Sequence, residues 1–171
     1  LGGKSAGIVY PDANLDDVEA IATLIQHWAT VGENLPRAKS DMVHSINEFA
    51  VTEINGKVSG CASLYIYDTG LAEIRSLGID PKSKVTGQGR QLVEHLLTKA
   101  KKLALNRVIV LTRVPDFFEQ QRFTFCSKDS LPEKVMKDCE LCLRKENCDE
   151  VAMEYILKLS TRAEIPCKYV A

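Results

Sequence analysis

Two glycines directly before a helical pattern are the residues of this chain whose spacing most suggests chemistry. Gly87 and Gly89 lie between a strand pattern that ends at Pro81 and an apolar helical pattern that begins at Leu92. Glycine lets backbone N–H groups approach an anion closely, and the dipole of the following helix favours negative charge. The spacing predicts a phosphate site at the carboxyl end of a strand. A plain strand-to-helix turn is the alternative, since short glycine patterns also occur by chance.

The two elements that flank this loop have simple periodic patterns. In the strand, five residues occupy every second position and are expected on one face of the sheet: Leu71, Glu73, Arg75, Leu77 and Ile79. In the helix, six apolar residues recur at helical spacing and are expected on the buried face: Leu92, Val93, Leu96, Leu97, Ala100 and Leu103.

The remaining patterns predict a mixed sheet with helices. Strands are expected at 6–10, 48–54, 57–67, 71–79, 107–112, 123–126 and 149–157, and helices at 15–31, 40–46, 90–103 and 117–121. Asn14 and Ser40 are the expected N-caps of the first two helices, and Asn55-Gly56 is the expected hairpin turn. Three antiparallel strands followed by a strand–loop–helix–strand crossover imply an α+β fold. Its mixed sheet has six to seven strands, with helices on both faces.

Composition excludes several classes of protein. The chain has 171 residues, of which 45% are hydrophobic and 26% charged, which argues for one globular domain over residues 1–171. A net charge of −1 gives no sign of the positive surface that nucleic-acid binding requires, and no apolar run is long enough for a membrane span.

Residues 1–5 are expected to be linker-like and residues 160–171 loosely attached. The absence of an initial Met suggests a trimmed or excised domain, and a cytoplasmic location is expected.

Six cysteines are present, and four of them are crowded together at Cys126, Cys139, Cys142 and Cys148. A reduced, cytosolic setting is the better interpretation than a disulfide framework, since the sequence has no secretory feature. Four thiolates could hold tetrahedral zinc. The second Cys-x-x-Cys of a typical zinc site is missing, however, so buried free thiols are favoured and no metal is assigned.

The strand order and the glycine loop resemble the GCN5-related N-acetyltransferases (GNAT) over nearly the whole chain. These enzymes bind the pyrophosphate of CoA with the pattern Gln/Arg-x-x-Gly-x-Gly/Ala, which Lys84-Val85-Thr86-Gly87-Gln88-Gly89 fits at both glycines. Lys84 stands where the pattern has Arg or Gln, so the charge is kept but the bidentate fork of Arg is lost. The resemblance implies the GNAT acyl-CoA N-acyltransferase fold and acetyl-CoA as co-substrate.

Several short segments are similar to the acetyltransferase domain of the N-acetylglutamate synthases, which are amino-acid N-acetyltransferases of arginine biosynthesis. They are Gly32-x-x-Leu35-Pro36-Arg37, Phe49-x-Val51, Gly60-Cys61-Ala62, Ala72-Glu73-Ile74-Arg75-Ser76-Leu77, Val110-Leu111-Thr112 and Ser130-Leu131-Pro132-Glu133. The resemblance implies acetyl transfer to the α-amino group of an amino acid, with L-glutamate as the expected acceptor. Because some bacteria fuse such a domain behind argininosuccinate lyase, fusion to or association with an arginine-biosynthesis enzyme is expected. A homo-oligomer is left open.

The same resemblance assigns roles on the donor side. The backbone of Leu77, Gly78 and Ile79 would hold the pantetheine arm as an added strand, with the Leu77 N–H facing the acetyl oxygen. The N–H groups of Val85, Thr86, Gly87, Gln88, Gly89 and Arg90 would take the pyrophosphate, with Lys84 and Arg90 adding charge. Glu73 corresponds to the carboxylate that accepts the substrate proton, directly or through water. An ion pair with Arg75 or a lysine is its structural alternative.

Two positions depart from the pattern of these enzymes. Phe118 stands where many have the tyrosine that protonates the CoA thiolate, so the thiolate is expected to leave unassisted or through water. Phe118 is still expected beside the cofactor. Tyr67 and Tyr155 are weak substitutes, for which core packing is favoured. Arg122 replaces a usual glycine, so a less regular helix end is expected there.

The acceptor side is less defined. Arg37, Arg75 and Arg113 are the candidates to hold acceptor carboxylates, since arginine forms the better carboxylate fork, and surface solvation is the alternative for each. The synthases carry a basic Arg-Lys-Ser-Lys segment where this chain has Asn147-Cys148-Asp149-Glu150. Two other functions therefore stay open: acetylation of another amine or a peptide N-terminus, and a non-catalytic regulatory module that binds CoA or an amino acid.

Overall fold

The computed structural model describes residues 8–10, 12–132, 137, 139, 142 and 144–157. Its strands are β1 (Ile8–Tyr10), β2 (Phe49–Ile54), β3 (Lys57–Ile66), β4 (Leu71–Ile79), β5 (Arg107–Thr112), β6 (Thr124–Cys126) and β7 (Val151–Ile156). Its α-helices are α1 (Val18–Thr30), α2 (Lys39–His44), α3 (Gln88–Lys102) and α4 (Pro115–Glu119). This order confirms the predicted one. The predictions for 1–5, for 160–171 and for Cys167 lie outside the described residues.

The described strands form one mixed sheet in the order β1-β2-β3-β4-β5-β7-β6. β4 and β5 pair in parallel, and the other described pairs are antiparallel. Neighbouring residues of one strand belong to different cores: Ala50 packs with α3, whereas Val51 packs with α1 and α2. Because successive side chains of a strand point to opposite faces, helices cover both faces of the sheet, as predicted. No helix in the described ranges combines the length and hydropathy needed to cross a membrane.

Local sequence explains where the helices start. Asn14 accepts a hydrogen bond from the Asp16 N–H, and Asp17 accepts one from the Asn14 N–H. Asn14 thereby caps a 3-10 turn at Leu15–Asp17 that runs directly into α1, whose own N-cap, Asp17, makes no side-chain cap bond. The prediction of Ser40 as the second cap was wrong. α2 begins at Lys39 after an extended Ala38 that offers no side-chain acceptor. Burial of Met42, rather than a cap, holds this short helix.

Two apolar residues at the edges of helical patterns are exposed, among them Leu103, which was expected on the buried face. Val43 is exposed on α2, and Leu103 lies just beyond the end of α3. Helical periodicity places a residue on a face, but whether the outer edge of that face is covered depends on the neighbouring elements.

A β-bulge interrupts β4 at its centre. Cys61 pairs with Gly78 and Ser63 pairs with Arg75, so β4 has one more residue than β3 between these pairs. Ser76 takes a left-handed φ of 53° at this point. An extra residue shifts the side-chain alternation by one position.

The bulge corrects the predicted faces of β4. Leu77 and Ile79 pack on the α3 side together with Ala72 and Ile74, not on the face of Glu73 and Arg75. Regular alternation would have placed Leu77 and Ile79 beside the charged residues. The extra residue instead keeps two apolar side chains in the core after the bulge.

The parallel pairing of β4 with β5 ends early. It covers Leu71, Ala72 and Glu73 of β4, opposite Arg107, Val108 and Ile109 of β5. Beyond Glu73, β4 continues along β3 to Ile79, whereas β5 continues along β7 to Thr112. A gap therefore opens within the sheet between the carboxyl ends of two adjacent parallel strands, where ligands commonly bind.

Arg122 adopts the left-handed conformation in which glycine is favoured, with φ of 68°, just after α4. We expect Arg122→Gly to stabilise the fold by about 0.5 to 1 kcal/mol, because relief of the strain exceeds the added chain entropy of the unfolded state. Urea unfolding measures this. Arg122→Ala is the control: it removes the same exposed side chain but keeps the strain, so it should give no gain. An equal gain from both variants would contradict the explanation.

Candidate active site

A cavity of about 550 Å³ lies in the gap between β4 and β5. β4 contributes Glu73–Leu77 to its wall, and β5 contributes Val110 and Leu111. The loop after α1 closes a second side with Gly32–Arg37. A third side is formed by Arg113, Phe118, Lys128, Cys139, Cys142, Arg144, Lys145, Cys148 and Glu150.

Glu73 is the buried carboxylate of this cavity, with 6% of its surface exposed. Its Oε2 accepts a hydrogen bond of 2.5 Å from the Tyr67 hydroxyl and one of 2.6 Å from Arg75 Nε. The Arg75 guanidinium also contacts the Tyr67 hydroxyl and stacks 4.1 Å from the ring centre of Tyr65. A buried carboxylate with two such donors is held in one orientation and is favoured in its ionised form.

Two of the three arginines predicted to bind the acceptor line the cavity but also have partners within the protein. Arg75 is committed to Glu73 and Tyr67, as described above. Arg113 forms ion pairs with Asp149 and Glu150 and donates to the Gly32 carbonyl at 2.8 Å. The hydrogen bond from Arg113 lowers the pKa of Asp149. The pattern of charges along the sequence could not show that acidic residues about 36 positions away would neutralise Arg113.

Four other cations line the cavity, Lys145 among them. Arg37, the remaining predicted arginine, is half-buried in its wall. Lys128 and Arg144, which the sequence did not single out, line the same side, and neither forms an ion pair with any described carboxylate. Lys128 Nζ lies 3.4 Å from Cys148 Sγ. The cavity wall thus carries positive charge at Arg37, which the sequence singled out, and at three positions that it did not.

The free edge of β4 is held by side chains from the α1 side. The Trp28 indole donates to the Ile79 carbonyl at 3.0 Å, and the Asn34 amide donates to the Leu77 carbonyl at 3.3 Å. The Asp80 N–H donates to the Ser59 carbonyl of β3, so the backbone N–H and carbonyl of the neighbouring Ile79 face away from β3, whereas its side chain stays in the core. Gly78 lies beneath Trp28, where a Cβ would come within 2.7 Å of the indole.

The predicted phosphate loop leads directly into α3. Gly87 is the N-cap, with φ of 86°, and an added Cβ there would meet no described atom within 4 Å. The first turn of α3 contains no acidic residue. The Val85 N–H donates to Ser83 Oγ at 3.3 Å, so it differs from the expected phosphate donor. Lys84 is exposed, and Arg90 pairs with Glu94 one turn later.

The sequence made no prediction for the side chain of Gln88. Its side chain is turned into the protein and is 1% exposed. On the other side of the loop, Gly89 lies against Phe117, whose ring would be 3.2 Å from an added Cβ. Phe118 itself is buried, contacts Phe117 and Phe123, and lines the cavity.

A family model described as the acetyltransferase (GNAT) family matches residues 19–124, which include the loop and both diverging strands. This chain belongs to the GNAT acetyltransferase family.

Relatives of this acetyltransferase carry related names. An uncharacterised N-acetyltransferase of Chlorobaculum tepidum is 34% identical over 142 residues, which cover 83% of this chain and 92% of the relative. The amino-acid acetyltransferases of Ralstonia nicotianae and Neisseria meningitidis are 36% and 31% identical over 74% and 79% of this chain. The chain spans only 28% and 31% of the length of those two proteins.

Solved structures agree with the fold of this acetyltransferase. N-acetylglutamate synthase from Neisseria gonorrhoeae, complexed with coenzyme A and N-acetyl-glutamate, superimposes with a TM-score of 0.77 at 25% identity, over 91% of this chain and 36% of that one. A Mycobacterium tuberculosis protein in complex with CoA gives 0.76 at 30% identity, over 88% and 99%. The chain is therefore an acetyl-CoA-dependent N-acetyltransferase, close to the acetyltransferase domain of N-acetylglutamate synthases.

The four cysteines that are crowded together in the sequence lie in two places of the fold. Cys139, Cys142 and Cys148 line the cavity, whereas Cys126 packs with Leu71, Ile109, Leu131 and Ala152. Within the described ranges, no three His, Cys, Asp or Glu side chains are placed to hold a metal ion. Burial, followed by the nearby Cys148 and Glu150, raises the pKa of the Cys139 thiol.

The Gly87 position provides a direct test of CoA binding by this acetyltransferase. We expect Gly87→Asp to weaken CoA binding by about tenfold or more, because a carboxylate would occupy the open space where phosphate is expected. Isothermal titration calorimetry with CoA measures this. Gly56→Asp is a matched control, since Gly56 also has positive φ and open space but lies on the β2–β3 hairpin. Equal affinities of the two variants would contradict this placement of the pyrophosphate.

Proposed function

We propose that this chain transfers the acetyl group of acetyl-CoA to the α-amino group of an amino acid, with L-glutamate as the first candidate. The observation that carries the proposal is the cavity between β4 and β5, which has Glu73 on one wall and Arg37, Lys128 and Arg144 on others. It offers a carboxylate for the ammonium group and cations for the carboxylates of the acceptor. The names of the amino-acid acetyltransferase relatives support the same substrate class.

In this proposal the donor lies along the free edge of β4. The pyrophosphate accepts hydrogen bonds from N–H groups of Thr86 to Arg90 at the start of α3, where the helix dipole adds attraction. Lys84 supplies a mobile charge at the same place. The pantetheine arm then follows Leu77–Ile79 towards the cavity, which brings the thioester close to Glu73.

The proposed chemistry is direct attack. The ammonium group of the acceptor loses a proton, through water, to Glu73, and the amine nitrogen bonds to the thioester carbon. The Leu77 N–H stabilises the oxyanion of the tetrahedral intermediate. The carbon–sulfur bond then breaks, CoA leaves as a thiolate, and the nitrogen of the new amide releases its remaining extra proton to solvent. Phe118 cannot donate a proton, so solvent protonates the thiolate.

Tyr67 and Arg75 have supporting parts in this scheme. Both donate to Glu73, which fixes the direction of its carboxylate. Tyr67 does not line the cavity, and burial together with the charge of Glu73 raises its own pKa, so a role as the acid that protonates the thiolate is disfavoured. Arg75 acts through Glu73 and not by binding the acceptor.

A second acceptor class has its own support. Arg75 and Arg113 are neutralised by neighbouring carboxylates, and Glu33 and Glu150 also line the cavity. Such a mixed wall suits an amino acid with a neutral polar side chain, for example L-glutamine.

With L-glutamate as acceptor, the activity would serve arginine biosynthesis in the cytoplasm, by fusion to or association with an enzyme of that pathway.

An acceptor panel tests the proposal. We expect acetylated product, measured by mass spectrometry with acetyl-CoA as donor, to form fastest with L-glutamate and more slowly with L-aspartate and L-glutamine. A higher kcat/KM for L-glutamine would favour the second class. Turnover only with polyamines or peptide N-termini, or CoA binding without turnover of any amine, would overturn the amino-acid proposal.

The pH profile tests the role of Glu73. Tyr67→Phe removes one donor to the ionised carboxylate and so makes its protonation easier. The acid limb of the kcat/KM profile should therefore move about 0.5 to 1 pH unit higher. Tyr65→Phe is the matched control, because the neighbouring Tyr65 contacts Arg75 through its ring.

Glu73→Gln should lower kcat by about 100-fold or more. An unshifted profile in Tyr67→Phe, or near-normal kcat in Glu73→Gln, would contradict Glu73 as the proton acceptor.

A further inference from the structure

Gln88 forms a buried polar network beneath the phosphate loop. Its Oε1 accepts hydrogen bonds from Thr52 Oγ1 at 2.9 Å and from Ser59 Oγ at 2.5 Å. Its Nε2 donates to Ser83 Oγ at 2.8 Å and to the Val85 carbonyl at 3.1 Å. An amide can accept two hydrogen bonds and donate two, so Gln88 is fully satisfied.

This network joins two parts of the molecule that are distant in sequence. Thr52 and Ser59 belong to β2 and β3 and are buried, whereas Ser83 and Val85 belong to the loop between β4 and α3. Gln88 is the first residue of α3. The amide thus ties the loop to the rigid sheet and to the start of the helix.

The fold does not need a polar network at this place in order to fill its core. Burial of an amide and two hydroxyls is unfavourable unless each group is paired, and an apolar residue would fill the same space without that requirement. A fully paired network in a low-dielectric interior does, however, fix the geometry of the backbone that it holds. The backbone in question is the loop 83–87, which leads into the first N–H groups of α3.

We propose that Gln88 is a positioning residue for donor binding, and that its side-chain amide pre-forms the loop which receives the CoA pyrophosphate. The inference rests on the placement of the pyrophosphate in the proposed function. Gln88 acts through Ser83 and Val85: it holds their backbone so that the N–H groups from Thr86 to Arg90 stand ready for the phosphates. A loop that is already ordered loses less conformational entropy on binding.

Two uncharged variants test this without adding charge near the phosphates. Gln88→Met keeps the length of the side chain but removes the amide oxygen that bonds to the sheet and the amide nitrogen that bonds to the loop. Thr52→Val removes the Thr52 hydroxyl at the sheet end, with its hydrogen bonds to Gln88 and Ser59, and removes no hydrogen bond to a loop residue. Calorimetry gives the CoA affinity, and thermal unfolding shows that each variant folds. S-acetyl-pantetheine, which lacks the pyrophosphate, provides a second donor, whose kcat/KM is measured with the best acceptor.

We expect Gln88→Met, which removes all four hydrogen bonds of the amide, to weaken CoA binding about tenfold, and the milder Thr52→Val to weaken it about twofold to threefold. The kcat/KM with S-acetyl-pantetheine should stay unchanged in both. Wild-type CoA affinity in folded Gln88→Met would overturn the proposal. An equal loss with both donors would also overturn it, because the defect would then not act through the phosphates.

The test separates this inference from the proposed function. If the wild-type protein binds CoA but prefers an acceptor other than an amino acid, the proposed acceptor is wrong and the Gln88 test still stands. If the wild-type protein acetylates L-glutamate while Gln88→Met binds CoA normally, only the positioning role is wrong. Should Gln88→Met fail to fold, the milder Thr52→Val carries the same comparison.

Discussion

The early end of the pairing between β4 and β5 is the constraint on which the site depends. These strands pair in parallel as far as Glu73 and then diverge. Beyond that point β4 stays paired with β3, and β5 stays paired with β7. The extra residue at Ser76 turns Leu77 and Ile79 into the core beneath α3 and leaves the backbone edge of β4 facing the gap. The cavity, with the buried carboxylate of Glu73 in its wall, follows from the divergence of β4 and β5.

Internal charge pairing determines which groups remain for ligands. Arg75 and Arg113, the two most deeply placed cations, serve the protein itself: one orients Glu73, and the other joins the loop after α1 to the segment before β7. The cations left towards the cavity are those of less regular segments, Lys128 and Arg144 among them. In the proposed function, acceptor selection would thus be carried by loops, and donor binding by a strand and a helix that the core holds rigid.

The fold and the position of the glycine loop before α3 were largely predictable because they depend on local patterns. Strand alternation, the Asn55-Gly56 turn and the glycines before α3 each act over a few residues, and together with the resemblance to acetyltransferases they gave the correct order of elements. The bulge at Ser76 was not predictable, since serine has no strong preference for positive φ and the shift is imposed by packing against β3. The same holds for the partners of Arg113 and for the inward turn of Gln88, which arise from residues distant in sequence.

The most direct test of the account is a crystal structure of the protein grown with CoA. The account predicts pyrophosphate oxygens within about 2.7 to 3.2 Å of N–H groups between Thr86 and Arg90. It also predicts that the pantetheine lies along Leu77–Ile79 and that the sulfur enters the cavity beside Glu73. CoA bound elsewhere, with the gap between β4 and β5 empty, would contradict it.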